Sequence, residues 1–206
     1  FLYRKELEYV RRCVKEQNFR GSYRYKFGQY LPEWHPWESY KDFFVSDKRT
    51  NACREIMAIE FPWLIDVFGK IKSYQVLHKK ISDMEIDYDD SYQLIVEHEN
   101  GITGSFMIDV VIPKSGRELE VWEEKFYLKW NGTPDSLYEY KEDSHKIEKV
   151  EIYDSVEHID GYNQFIVENA YYDEIVNYIE CVLGQAKARY SFEQDKEILS
   201  LIDKIE

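Results

Sequence analysis

Apolar side chains recur at spacings of three and four over residues 2–17, with Tyr3, Leu7, Val10 and Val14 on one stripe. That period predicts an amphipathic helix, and Gly21 stands beyond its end, where helices often stop. Residues 23–31 alternate and predict a strand. An aromatic loop follows, Leu31-Pro32-Glu33-Trp34-His35-Pro36-Trp37-Glu38-Ser39-Tyr40. Residues 51–68 predict a second helix closed by Gly69, and from Ile71 to about Tyr153 strand follows strand. Asn100-Gly101 joins two alternating runs, 91–99 and 102–112, as a hairpin. On the second run Ile102, Gly104, Phe106, Ile108, Val110 and Ile112 share one face, and Thr103, Ser105, Met107, Asp109 and Val111 share the other. Segments 119–122, 126–130 and 137–142 continue the meander, with turns at Asn131-Gly132 and near Pro134-Asp135.

Two helices close the chain. Phe165, Tyr172, Ile175, Val176, Ile179, Val182 and Leu183 form a wide stripe ended by Gly184, and Ser191-Phe192-Glu193-Gln194 is a capping box opening the last helix. The pattern predicts a single α+β domain: a largely antiparallel open β-sheet with helices packed on one face. The other face mixes Met107 and Val111 with polar neighbours, a texture suited to a homo-oligomer interface. A wet outer face is the alternative.

Composition narrows the classes. A formal net charge of −13 repels phosphate backbones, so nucleic acid is not an expected partner. No apolar run reaches the ~18 residues of a membrane span and no secretory leader is visible, which with three scattered cysteines predicts a cytoplasmic protein with free thiols. The 18 tyrosines, 11 phenylalanines and 5 tryptophans suit sugar stacking or simple amphipathic packing. There is no Gly-x-Gly-x-x-Gly, Walker loop, HExxH or Gly-x-Ser-x-Gly, and Glu97-His98-Glu99 alternates across a strand, so no metal site is expected.

Four segments carry more. They are Phe27-Gly28-Gln29-Tyr30-Leu31-Pro32-Glu33-Trp34-His35-Pro36-Trp37; Ile56-Met57-Ala58-Ile59-Glu60-Phe61-Pro62-Trp63-Leu64-Ile65-Asp66-Val67-Phe68-Gly69; Arg117-Glu118-Leu119-Glu120-Val121-Trp122 with Leu128-Lys129-Trp130; and Tyr190-Ser191-Phe192-Glu193-Gln194-Asp195. In this order, after the first helix, they resemble the C-terminal domain of the Gfo/Idh/MocA oxidoreductases over essentially all 206 residues. The resemblance implies a parent oxidoreductase using NAD or NADP on an N-terminal Rossmann domain missing upstream, with residues 1–20 leading from it. It implies a sugar, nucleotide sugar or cyclitol held against the C-terminal sheet, and oligomers that pair through those sheets. The family's Glu-Lys-Pro lysine is absent, and this chain alone is expected to be inactive.

Many members place an Asp and a His four residues apart on the long helix, both facing the substrate hydroxyl. Counting back from Gly69, Glu55 falls at the Asp and Ile59 at the His. An isoleucine exchanges no proton, so a lysine of the missing domain, His35 or a tyrosine would take over. Glu55 is the catalytic candidate, with Glu60, Arg54, Trp34, His35 and Tyr40 as candidate substrate contacts. Glu55 reads also as a helix carboxylate paired to Arg54 or Lys48, and Glu60 as a structural group. Loss of the histidine keeps open a non-catalytic sugar-binding or oligomerisation module.

Overall fold

In a computed structural model of the chain, which describes residues 1–156 and 167–206, four helices and eight strands build an α+β domain. Helix α1 (Lys5–Glu16) buries Leu7, Val10, Cys13 and Val14. It begins three residues later than its apolar period predicts, because Arg4 turns inward to pair with buried Glu6 and donates to the Gly132 carbonyl at 3.1 Å. Strand β1 (Ser22–Gly28) stops short of Leu31, where Pro32 starts a 3-10 turn.

Helix α2 (Ala52–Phe68) is the central support. The Asn51 side chain caps it by accepting the Arg54 N–H at 2.8 Å, and Gly69 ends it at φ +94°, a conformation costly for any residue with a Cβ. Pro62 lies inside it, so the Ala58 carbonyl loses its usual helical donor.

The sheet runs β2-β3-β4-β1-β5-β6-β7-β8, from β2 (Ile71–Lys79), β3 (Ser91–His98), β4 (Thr103–Asp109), β5 (Gly116–Glu123), β6 (Phe126–Trp130), β7 (Tyr138–Lys141) and β8 (Lys146–Lys149). The simple meander is therefore corrected. β1 inserts between β4 and β5 and lies parallel to β4, while the other pairs are antiparallel. Alternation marks which face a residue takes but is blind to which strand lies beside it.

Phe106, Ile108 and Val110 are buried on the helix side as expected. There Phe61 of α2 meets Phe106, and Tyr23 stacks on Phe68 with centroids 3.8 Å apart. The Tyr23 ring lies over Gly104, where a Cβ would come within 2.2 Å of it. Each such apolar side chain stabilises the fold by about 1.5–3 kcal/mol when fully buried. Asp109, expected on the open face, is buried instead: its Oδ1 accepts the Val111 N–H at 2.7 Å and ends β4 three residues before Ile112.

Helix α3 (Glu168–Val182) departs further from expectation. Its stripe exists, but Tyr172, Ile175, Ile179, Val182 and Leu183 are exposed rather than packed on the sheet, and Phe165 lies outside the described residues. Helix α4 (Phe192–Ile205) opens on the Ser191–Gln194 capping box and packs Ile198, Ile202 and Ile205 into the core beside α2.

Candidate functional site

The N-terminal half of α2 and the loop after β1 meet at Glu55. This carboxylate is half-buried, and its Oε2 is shut from solvent without a hydrogen-bond partner. Burial pushes its pKa up, and the nearby His35 acts against that rise. A raised carboxyl is nearer to giving and taking protons at neutral pH.

His35 is half-buried in the aromatic loop. Its Nδ1 is 2.7 Å from Glu38 Oε1, and its ring stacks with Trp37 at 5.0 Å and with Phe43 at 4.4 Å. Trp37 is 76% exposed, so one face of this stack is open to a ligand. Trp34 is half-buried, its indole N–H directed at the Gln29 carbonyl at 3.4 Å. The Tyr40 hydroxyl accepts the Glu85 N–H at 3.2 Å, which ties the loop to the segment between β2 and β3 and leaves Tyr40 on its far side.

Two expected substrate contacts have structural partners. Arg54 gives Nη1 to Glu206 at 2.5 Å and Nη2 to Asp203 at 2.6 Å, clipping α2 to the end of α4. In this arrangement both of its amino groups are engaged at the end of α4. Glu60 is fully buried. Its Oε1 accepts Arg117 Nε and Nη2 at 3.0 and 2.9 Å, and its Oε2 accepts the Tyr25 hydroxyl at 2.6 Å and the Trp63 indole at 2.7 Å. Five positions after Glu55 on a helix, it points into the core, where the structural reading of this residue finds its partners.

Ile59, one turn beyond Glu55, is 44% exposed. It lines a cleft of about 430 Å³ with Pro62, Trp63, Tyr178, Cys181 and Arg189. The α3 residues here, Tyr178 and Cys181, lie off the apolar stripe of that helix and went unnoticed in sequence. Among the described residues no three His, Cys, Asp or Glu side chains gather as a metal would require. No helix among them is long and apolar enough to cross a membrane.

No protein-family model matches the chain, and no curated protein does. Solved structures do. An inositol dehydrogenase homologue from Azotobacter vinelandii, complexed with NAD+, superposes with a TM-score of 0.75 at 12% identity, over 98% of this chain and 59% of that one. An oxidoreductase domain protein from Kribbella flavida gives 0.73 at 13% identity, over 99% and 61%. An oxidoreductase from Agrobacterium radiobacter, in complex with NAD+, L-tartaric acid and magnesium, gives 0.67 at 10% identity, over 98% and 59%. The chain thus spans about three fifths of the chains it resembles. At these identities the likeness establishes the fold: this chain is built as the corresponding part of these oxidoreductases.

Proposed function

We propose that this chain is the substrate-binding and oligomerisation domain of a Gfo/Idh/MocA oxidoreductase. The parent would use NAD or NADP to act on a hydroxyl of a sugar, nucleotide sugar or cyclitol. The observation that carries this reading is the fold match over 98–99% of this chain to oxidoreductases, two of them holding NAD+. The ordered family segments and the register that sets Glu55 on α2 support it.

The residues present do not fit a dinucleotide. There is no phosphate-cradling glycine loop, and the first-turn N–H groups of Arg54 in α2 and Gln194 in α4 are taken by their own caps, Asn51 and Ser191. On this reading the cofactor belongs to another domain, and the single domain 1–206 supplies substrate contacts. Glu55 takes the proton of the reacting hydroxyl, or returns it in the reverse direction, while the open face of Trp37, with Trp34 in the same loop, stacks on a pyranose or cyclitol ring. Tyr40 holds the far side of that loop. The open sheet face pairs two copies of the domain, and the free thiols suit a cytoplasmic protein. Ile59 at the family's histidine position favours the second reading, a sugar-binding module without turnover.

Glu55→Gln separates the two. In the natural protein bearing this chain it should lower turnover by roughly 10²–10⁴-fold, the range for an acid–base group. A rate within about twofold of the parent would leave Glu55 a bystander.

A further inference from the structure

We propose that the bare apolar stripe of α3 is the seat of the cofactor-binding domain of the same protein, which closes the cleft at Ile59 from outside. The proposal rests on the proposed function, since that reading supplies the domain, and it names the surface of this chain that receives it.

Helix α3 has 15 residues, and among the described residues none of them is buried. An isolated helix of about 12–15 residues is marginal in water, and burial of an apolar face is what ordinarily stabilises one. Ile175, Ile179 and Val182 stand four and three positions apart, so they share a face, and all three are exposed. Tyr171 extends that face by a turn and Tyr178 borders it, both exposed as well. The domain grips the helix by polar tips instead, the Tyr3 hydroxyl donating to Asn177 Oδ1 at 2.8 Å. Asn177 is two positions from both Ile175 and Ile179, which puts it on the other side of the helix. An apolar patch left bare in this way marks a surface that another folded body covers.

Length and position select the occupant. The chain spans about three fifths of the oxidoreductase chains it matches, so about two fifths of each has no counterpart here. Phe1, Leu2 and Tyr3 line one cleft with Glu174, Asn177 and Tyr178 of α3. Polypeptide joined ahead of residue 1 therefore starts beside the stripe, and a domain tethered so closely meets it at high effective concentration. A free partner has no such advantage. Ile59 lines the same cleft one turn from Glu55, so a domain seated on α3 borders the turn of α2 that carries the candidate acid. Docking there places the cofactor domain beside a hydroxyl held at Glu55.

The test is photo-cross-linking in the purified natural protein bearing this chain, with p-benzoylphenylalanine at Ile179 in one variant and at Val182 in another. Both positions are exposed, so the bulky group displaces no packing within this domain. The same group at Ile147, exposed on β8, sets the background. After illumination, mass spectrometry should find cross-links from either α3 position to peptides upstream of residue 1, in a product of single-molecule mass and above the Ile147 background. Cross-links to a second copy alone, or none above background, would overturn α3 as the seat. The measurement needs no turnover. Failure of cofactor reduction would sink the proposed function and leave the cross-linking result to stand or fall by itself.

Discussion

Glu55 and Glu60 lie on the same helix with opposite surroundings. Glu60 accepts four hydrogen bonds from Arg117, Tyr25 and Trp63, and the Arg117 guanidinium also lies under the Phe27 ring at 4.5 Å. A buried pair of this kind adds little over an apolar substitute, but breaking it strands a charge. Arg117→Ala should therefore cost about 3–5 kcal/mol in urea unfolding, and a loss below ~1 kcal/mol would contradict the network. Sequence register located both carboxylates on α2 and left their roles open. The rotation from Glu55 to Glu60 turns one into the core, but a buried glutamate is recognisable only once Arg117 and Tyr25 arrive from β5 and β1, 57 and 35 residues away in sequence. Arg54 was similarly opaque, because its partners come from the last turn of α4.

At the scale of elements, local signals were the readable ones. Asn100-Gly101 gave the hairpin of β3 and β4, Gly69 the end of α2, and Ser191 the start of α4. Long-range choices were not readable: the parallel seating of β1 beside β4, and the bare face of α3. The same holds for the open sheet face. On β5 and β1 it is ion-paired, with Arg24 bonded to Glu120 and Lys26 to Glu118. On β2 and β3 it carries Leu77 and Ile95, 67% and 64% exposed, beside Gln75 and Gln93. A face with a greasy half and a charged half suits self-pairing. Sedimentation at micromolar concentration should find this chain assembled and the Leu77→Lys, Ile95→Lys variant monomeric. A monomeric parent, or a variant that still assembles, would remove this face as the interface.

Among the described residues, one side is well packed and several surfaces are left exposed. Helix α2 is gripped by the sheet below, α1 and α4 beside it, and the Glu60–Arg117 pair beneath. Its remaining side presents Glu55 next to the His35 stack and Ile59 on the cleft shared with α3, where Tyr178 is 69% exposed. A rigid helix carrying a half-buried acid toward open space suits a substrate enclosed from the other side by a cofactor domain. On the proposed function, this chain presents a polyol hydroxyl to a nicotinamide cofactor held elsewhere in the same protein. Cofactor reduction by the natural protein bearing this chain tests it most directly, followed by absorbance with NAD and with NADP across a panel of sugars, nucleotide sugars and cyclitols. Reduction with at least one member of the panel, lost in Glu55→Gln, is the predicted result. No reduction of either cofactor by any member, or reduction undiminished in Glu55→Gln, would contradict it.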